Sequence, residues 1–432
     1  MTSAAFYTLG CKVNQYETEA IEELFKGQGY EIKDFEEPAD IYVINTCSVT
    51  AMSDRKSRQI IRRAKKLNPD AVIIVTGCYA QTAPDDVLKI EGVNLVIGTN
   101  EKSRIPQEAA RLTSEIKKNQ VHDISHIHHF EEMKVSGYRG MTRAYIKIQE
   151  GCNQFCSYCI IPYARGPIRS REPEEIIKEA NRLAHDGFTE IILVGIHIAS
   201  YGLDLKTTDL ADIIIRVNNI EGIKRIRLSS IEPMTLNRQF TERISKADKL
   251  CPHFHLSLQS GCDETLRRMN RRYTTEQYSD IVKGLRENFP QVAITTDVMT
   301  GFPGETDAEF KKTEEFVRSM EFADIHIFKY SQRPGTPAAE MENQVTPEKK
   351  EQRSKVLAKI RKQSMDKFHQ AMLGQTELVL FEQPSARYKG YFEGKTANYV
   401  TVLVKTEEDL SFKYRNVRLK EAVDEGIKGE II

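Results

Sequence analysis

Short β-branched runs alternate with amphipathic helical stretches through the first hundred residues, and this alternation constrains the fold more than any other feature of the sequence. Residues 5–9, 41–44 and 71–75 predict strands, and residues 17–29 and 53–67 predict helices. A strand–helix repeat of this kind folds as a largely parallel α/β sheet. Cys11, Cys47 and Cys78 follow the three strands. Because parallel strands end at one edge of their sheet, the three thiols are expected to meet where such folds bind ligands.

A second cysteine group, Cys152, Cys156 and Cys159, has the spacing Cys-x3-Cys-x2-Cys directly after a predicted strand at 144–148. Three thiolates in one tight loop suit a [4Fe-4S] cluster in which one iron has no protein ligand. The same reasoning applies to the first group, for which three buried core cysteines are the alternative. A structural zinc with a distant fourth ligand is the alternative for the loop, although such zinc sites usually come as paired Cys-x2-Cys units.

The strand–helix alternation continues through the centre of the chain and stops near its end. Six units between residues 142 and 324 are too few for an eight-stranded barrel, so they predict a partial (βα)6 barrel. A long charged helix is expected at 347–373, and short strands after Gly374 predict a small barrel of the oligonucleotide-binding type. The predicted division is an α/β domain at 1–115, a linker at 116–140, the partial barrel at 141–372 and the small barrel at 375–432.

Composition narrows the class of protein. Lys+Arg and Asp+Glu are equal at 62 each, which excludes a histone-like polycation and requires any nucleic-acid partner to meet a local basic patch. No apolar run is long enough for a membrane span, and the N-terminus has no secretory pattern, so a cytoplasmic protein is expected. Its cysteines should then be reduced, as ligands or as small core residues. Cys251 and Cys262 have no cluster spacing and are interpreted as structural.

The loop of Cys152, Cys156 and Cys159 resembles that of the radical S-adenosylmethionine (SAM) enzymes. The resemblance implies that SAM chelates the open iron and that one electron cleaves it to methionine and a 5′-deoxyadenosyl radical. It implies that Tyr158 lies against the adenine and that Gly195 lets backbone approach the methionyl amine. Glu232, at another strand end, is a candidate partner for the ribose hydroxyls, and Gln259 ends a further strand on the same rim. No catalytic side chain is assigned.

Three short motifs resemble motifs of the N-terminal domain of the methylthiotransferases. They are Thr8-Leu9-Gly10-Cys11-Lys12-Val13-Asn14, Asn45-Thr46-Cys47-Ser48-Val49-Thr50 and Thr76-Gly77-Cys78-Tyr79-Ala80-Gln81. The resemblance covers essentially the whole chain, including a C-terminal TRAM domain. Within this family, the sequences around Cys11 and Cys47 and at 255–263 are most similar to those of one branch. That branch acts on N6-threonylcarbamoyladenosine (t6A) at position 37 of tRNA. The resemblance implies an enzyme that converts t6A to its 2-methylthio derivative. Such an enzyme uses two [4Fe-4S] clusters, and SAM is both its methyl donor and its radical source.

The resemblance leaves alternatives open. The same chemistry acts on N6-isopentenyladenosine 37 of tRNA or on an aspartate of a ribosomal protein, and a non-enzymatic RNA-binding protein with structural zinc is a third possibility. Partners would be the tRNA anticodon loop and a one-electron reductant such as flavodoxin or ferredoxin, with no membrane. Basic residues gather at 55–66, at 349–367 and, among aromatic residues, in the C-terminal domain, so these are the segments where RNA contact is expected.

Overall fold

The structure is a computed structural model that describes residues 1–135 and 142–432. It has a parallel α/β sheet, a half-barrel of strands and helices, and a small closed β-barrel, in chain order. The fold class expected from the sequence is thereby confirmed. The end of the expected linker and the first residue of the expected central domain, 136–141, lie outside the described residues.

The N-terminal sheet has six parallel strands in the order β2-β1-β3-β4-β5-β6. Its strands are β1 Ser3–Thr8, β2 Glu31–Lys33, β3 Ile41–Thr46, β4 Val72–Gly77, β5 Val93–Ile97 and β6 Lys118–Gln120. Its helices are α1 Lys12–Gly27, α2 Ala51–Leu67, α3 Cys78–Thr82, α4 Pro84–Leu88 and α5 Ile105–Ala109. The strand β6 lies within the segment expected as linker, where pairing with β5 and an ion pair from Lys118 to Glu108 (2.8 Å) attach it to the sheet.

The central domain places six parallel strands around an open lumen in the order β7, β9, β10, β11, β12 and β13. Isolated bridges join β10 to β11, and the short β8 pairs antiparallel with β7. The strands are β7 Ala144–Glu150, β8 Arg169–Ser170, β9 Glu190–Gly195, β10 Arg225–Leu228, β11 His253–Gln259, β12 Ala293–Thr300 and β13 Asp324–Lys329. The helices are α6 Ile161–Arg165, α7 Pro173–His185, α8 Leu210–Asn218, α9 Arg238–Ile244, α10 Asp263–Arg268, α11 Thr275–Asn288, α12 Asp307–Met320, α13 Pro337–Glu340 and α14 Pro347–Met372.

Successive side chains of β9 pack on opposite faces of the half-barrel. Ile191 and Leu193 pack into the core beneath the outer helices, whereas Ile192 and Val194 contact Val13 at the start of α1. Successive strand residues point to opposite faces, so one face packs on helices and the other faces the lumen. The N-terminal domain therefore covers the open side of the half-barrel with the first turn of α1.

The C-terminal domain is a closed barrel in the order β14-β15-β16-β18-β17. Its strands are β14 Thr376–Pro384, β15 Tyr391–Lys395, β16 Thr401–Lys405, β17 Tyr414–Val423 and β18 Gly426–Ile431. The sequence pattern predicted a short strand at 411–414, but β17 begins only at Tyr414, and the pattern did not locate β18. Both β17 and β18 are rich in charged residues, which hides their strand pattern. No helix in the described ranges is long and apolar enough to cross a membrane.

Candidate active site

The first cysteine group lies at one edge of the N-terminal sheet. Cys11 follows β1, Cys47 follows β3, and Cys78 opens α3 directly after β4. These three strands are neighbours, and the register pairs Thr46 with Gly77 at the strand ends. The structure therefore brings these three sequence-predicted residues together, as their positions at parallel strand ends predict.

Two glycines allow this close approach. A Cβ atom on Gly10, whose φ is +115°, would lie 2.9 Å from Cys47 Cβ and 3.2 Å from Cys47 Sγ. A Cβ atom on Gly77, with φ +96°, would lie 2.4 Å from the carbonyl oxygen of Thr46. Both φ values are in the region that favours glycine, so sterics and backbone conformation both require it. The glycines before Cys11 and Cys78 thus determine how closely the thiols can gather.

The protein surroundings of Cys11 and Cys47 favour their protonated thiols in the absence of a cation. Burial, with a smaller effect from Cys78, raises the pKa of Cys47 to about 11. Burial also raises the pKa of Cys11, although this side chain keeps contact with solvent on the cavity side. A bound metal deprotonates its cysteine ligands and so overcomes such a shift. Three gathered thiols suit a metal cluster.

An ionic network that the sequence reasoning missed joins this edge to the half-barrel. The guanidinium of Arg165, fully buried at the end of α6, donates to Glu17 Oε1 (2.7 Å), Glu150 Oε1 (3.0 Å) and Asn14 Oδ1 (2.5 Å). Its Nε donates to Cys78 Sγ at 3.3 Å. Lys147 adds contacts to Glu17 (3.0 Å) and Glu150 (2.8 Å). Arg165, only six positions after Cys159, is therefore in direct contact with the other cysteine group.

The buried carboxylates of this network are held ionised by their cationic neighbours. Burial by itself would raise the pKa of Glu17, but Arg165, Lys102 and Lys147 hold it well below its usual range. The pKa of Glu150 is lowered against burial by Arg165 and Lys147. One sequence signal could have indicated the network, since Lys147 interrupts an apolar strand at a position that has to be buried.

The second cysteine group lies in the irregular loop between β7 and α6, as its spacing predicts. The loop is anchored by the segment after α10: Ser157 Oγ donates to the carbonyl of Arg268 (2.8 Å), and Asn270 Nδ2 donates to that of Phe155 (2.9 Å). Burial raises the pKa of Cys152 to about 11 and that of Cys159 to about 12. A bound cation would favour the thiolates of Cys152 and Cys159, as it would for Cys11 and Cys47.

Arg271 connects this loop to Glu232. Its Nη1 lies 3.4 Å from Cys156 Sγ, and its Nη2 donates to Glu232 Oε2 at 2.7 Å. The carboxylate expected to meet a ribose is thus positioned by an arginine that also contacts the cysteine loop. Sequence reasoning missed Arg271, because it lies more than a hundred positions from Cys156.

The remaining predicted cofactor residues lie around the same rim. Tyr158 is edge-on to Phe302, with ring centroids 6.5 Å apart. A Cβ atom on Gly195 would lie 2.8 Å from Ile198 Cγ2, so the strand end there admits backbone only. Gln259 ends β11 with φ +67°, which turns the chain away from the strand. Outside both groups, Cys251 is buried, and Cys262 Sγ donates to Glu264 Oε2 at 2.9 Å.

A cavity of about 940 Å³ fills the lumen and is lined by all three parts of the chain. Its wall from the N-terminal domain includes Cys11 and Lys12, and the strand residues include Gly195 and Ser229. The C-terminal barrel closes it with Lys395 and other residues. The cavity is large enough for a modified nucleobase, since pockets for small organic ligands are typically ~300–1,000 Å³. The first cysteine group and the strand ends of the half-barrel therefore open into one space.

The basic side chains of α14 and α2 differ in whether they have partners within the fold. On α14 most of the basic side chains have partners within the fold: Arg353 contacts Glu305, and Arg361 contacts Asp324. On α2 the exposed basic side chains without a hydrogen bond or ion pair to a described residue are Arg55, Lys56, Arg62 and Lys66. Arg55 and Lys56 lie near the start of α2, the end that follows Cys47, and all four unpaired cations are available to phosphates.

Sequence models of two families match the chain. The radical SAM superfamily matches residues 146–317, and the uncharacterized protein family UPF0004 matches residues 3–98. Together they cover most of the half-barrel and of the N-terminal sheet, including both cysteine groups.

Full-length relatives are similar across almost the whole chain. The sequence is 44% identical over 426 residues to the threonylcarbamoyladenosine tRNA methylthiotransferase MtaB of Bacillus subtilis, which covers 98% of this chain and 94% of that protein. The Aquifex aeolicus protein of the same name is 37% identical, covering 92% and 97%. A tRNA-2-methylthio-N(6)-dimethylallyladenosine synthase of Dictyoglomus thermophilum is 34% identical, covering 98% and 97%.

The fold of this chain resembles those of solved structures. The radical SAM methyltransferase TsrM of Kitasatospora setae, solved with cobalamin and a [4Fe-4S] cluster, superimposes with a TM-score of 0.58 at 15% identity. It covers 78% of this chain and 77% of that one. At this identity the likeness concerns the fold alone.

Proposed function

The chain belongs to the family of radical SAM methylthiotransferases, and on that basis we propose that it transfers a methylthio group to C2 of t6A at position 37 of tRNA. The observation that carries this proposal is that Cys11, from the first cysteine group, lines the same cavity as the strand ends of the half-barrel. A sulfur-bearing site and a radical site must both reach one atom of one base. The most similar relative above is named for the same substrate.

We propose two [4Fe-4S] clusters, one on Cys11, Cys47 and Cys78 and one on Cys152, Cys156 and Cys159. Each group offers three gathered thiols, which suits a cluster with one open iron. Bound clusters and SAM would supply the one-electron chemistry, the sulfur and the methyl group. The protein orients these groups and excludes water around them. Tyr158, Gly195, Glu232 and Gln259 are the proposed SAM contacts.

The three parts of the chain then have distinct roles in the proposal. The N-terminal sheet holds the sulfur-side cluster, the half-barrel holds SAM and the radical cluster, and the C-terminal barrel covers the cavity and contributes to RNA binding. Unpaired cations on α2 are the further RNA contact. A flavodoxin or ferredoxin would supply electrons, and the enzyme would act in the cytoplasm on its tRNA substrate.

Anaerobic reconstitution with iron and sulfide tests the cluster assignment. About eight irons per chain are expected for two four-iron clusters. Cys47→Ala should retain about half of the iron and some SAM cleavage but form no methylthio product. Cys156→Ala should form no 5′-deoxyadenosine. Zinc in place of iron would contradict the enzymatic assignment, and undiminished product from Cys47→Ala would contradict the sulfur-side role.

Mass spectrometry of nucleosides tests the substrate. A strain lacking the gene should lose 2-methylthio-t6A and keep its unmethylthiolated precursor. Loss of the 2-methylthio derivative of isopentenyladenosine would instead assign the chain to the neighbouring tRNA branch. Loss of a methylthio group from a ribosomal protein would contradict the tRNA assignment.

A further inference from the structure

Two lysines from different domains line the cavity without a carboxylate partner. Lys12, the first residue of α1, makes no hydrogen bond or ion pair with any described residue, and its side chain is exposed to the cavity. Lys395, at the end of β15, donates to Thr401 Oγ1 at 2.5 Å, and no carboxylate oxygen of the described chain lies within 4.0 Å of it. Positive charge in an enclosed site is costly unless an anion compensates it.

The carboxylates of the cavity wall are already engaged elsewhere. Asp297 Oδ2 lies 3.1 Å from His255 Nε2, and Asp324 Oδ1 accepts from Arg361 at 2.5 Å. The third, Glu425, is on the exposed rim with Arg387 at 4.0 Å. The spare positive charge of the two lysines is therefore not neutralised by the lining itself.

Further positive charge lies near Lys12, behind the residues that line the cavity. Glu190 lies 2.7 Å from both Arg143 Nε and Arg227 Nε, and 3.6 Å from Arg225 Nη1. A single carboxylate therefore pairs with three guanidinium groups. That of Arg143 also contacts Glu382. The local field favours an anion in the cavity.

Lys12 and Lys395 both help to lower the pKa of one residue of the lumen, His253. Burial and the charges of Arg227, His255, Lys12 and Lys395 hold the pKa of His253 well below its usual range. Burial and nearby guanidinium groups likewise lower the pKa of Lys395 to about 8. Lys12, Lys395 and His253 line the same cavity, so an anion bound in it lies in the field of both ammonium groups.

We propose that Lys12 and Lys395 bind the carboxylate of the N6 substituent of the substrate base and so select an anionic substituent over a neutral one. This inference rests on the proposed function, because the threonylcarbamoyl group ends in a carboxylate whereas the dimethylallyl group carries no charge. Hydrogen bonds between ionised groups are short and strong, and an analogue without the charge leaves the site's cations uncompensated. The lysines determine specificity and take no part in the transfer.

The test compares two anticodon stem–loop RNAs that differ in one charge. One carries t6A at position 37, and the other carries its methyl ester, which keeps the phosphates and nearly the same shape. The reconstituted full-length enzyme is assayed for kcat/KM by mass spectrometry and for Kd by RNA binding. The wild type should prefer the acid by about tenfold or more, the effect of one lost charge-assisted hydrogen bond.

Lys12→Met and Lys395→Met should each lose about tenfold in kcat/KM and affinity for the acid, while their values for the ester stay unchanged. Lys405→Met is the matched control, since Lys405 is exposed on the neighbouring strand β16 and does not line the cavity. It should keep the wild-type preference. Because Lys12 adjoins Cys11, iron content and SAM cleavage without RNA are measured for every variant. If Lys12→Met loses iron, Lys395→Met, on a separate domain, decides the matter.

Each other outcome has a definite meaning. An unchanged preference in Lys395→Met would overturn the inference and leave the proposed function standing. An equal loss for acid and ester would assign the lysines to backbone phosphate and overturn the carboxylate site. A third stem–loop RNA with N6-dimethylallyladenosine at position 37 is assayed alongside; activity on this RNA alone would contradict both the proposed function and this inference.

Discussion

At the scale of single residues, the strongest constraint is the burial of Arg165 between the two cysteine groups. Its guanidinium compensates Glu17 and Glu150, which lie in two different domains and have no access to water. Removing one partner of a buried ion pair leaves an uncompensated charge. Arg165 therefore stabilises the domain interface as well as contacting Cys78.

Arg165→Met is expected to destabilise the protein by ~3–5 kcal/mol, because both carboxylates lose a buried partner. Thermal or urea unfolding of the purified apoprotein measures the change. Arg104→Met is the control: Arg104 is half-exposed and pairs with Glu101 on the surface (3.1 Å), so its loss should cost less than ~1 kcal/mol. Equal stability of the two variants would show that the buried network is not stabilising.

Gly77→Ala is expected to disrupt the first cysteine group while sparing the second. The added methyl carbon would lie 2.4 Å from the Thr46 carbonyl, so the ends of β3 and β4 would have to separate. Gly29→Ala is the matched control, since Gly29 also has a positive φ but has nothing within 4 Å of the added atom. Reconstituted iron should fall by about half in Gly77→Ala and stay at the wild-type level in Gly29→Ala. Full iron content in both variants would contradict the steric argument.

At the scale of elements, two helices with similar basic sequences have different roles. The basic residues of α14 mainly attach the helix to the half-barrel, through Arg353 and Arg361. The basic residues of α2 are mainly exposed, and the helix starts beside Cys47 with Thr50 as its N-cap. Charge composition alone could not separate a structural helix from an RNA-contacting one.

Replacing Arg55, Lys56 and Arg62 together by Gln should weaken binding of tRNA. Each lost phosphate contact should reduce the slope of log K against log[salt] by ~0.7–0.9. A filter-binding or fluorescence titration at several salt concentrations measures both effects. Lys355→Gln with Lys362→Gln on α14 is the control pair, since these lysines face Glu351 and Asp366 within their own helix. A salt slope that changes only in the α14 variant would contradict the assignment.

At the scale of the whole molecule, the C-terminal barrel closes the floor of the half-barrel. Tyr399 stacks on His253 with centroids 4.9 Å apart, and the guanidinium groups of Arg143 and Arg227 lie over its ring at 5.3 and 4.7 Å. Arg227 also donates to the carbonyls of Thr396 (2.8 Å) and Ala397 (2.7 Å). The cavity therefore exists in its closed form only while the two domains are docked.

Tyr399→Ala should loosen this docking without removing either cluster. The variant loses an aromatic stack and its cation–π contacts, each worth about 1 kcal/mol. Hydrogen exchange should become faster around His253 and in the 395–400 turn, and methylthio product should fall while iron content is unchanged. Tyr388→Ala is the control, because Tyr388 packs on Tyr391 within the barrel. Unchanged exchange in Tyr399→Ala would show that docking does not depend on this ring.

Much of the architecture followed from local patterns. Hydrophobic periodicity predicted the parallel sheet, the six barrel strands and the long helix, because each depends on neighbouring residues. The placement of cysteines at strand ends predicted the first group, and the tight spacing predicted the second. The pattern failed at β6 and β18, where polar strands are held by pairing with neighbours rather than by their own burial.

Local patterns along the chain were sufficient to predict the order of elements, the two cysteine groups and the family, since these depend on short motifs and their spacing. Which charges are compensated became evident from the folded arrangement of the three domains. Arg165 contacts Glu17 from 148 positions away, whereas Lys12 and Lys395 line one cavity and form no ion pair with a carboxylate of the described residues. Electrostatic energy depends on distance and burial in space, and neither quantity can be read along the chain.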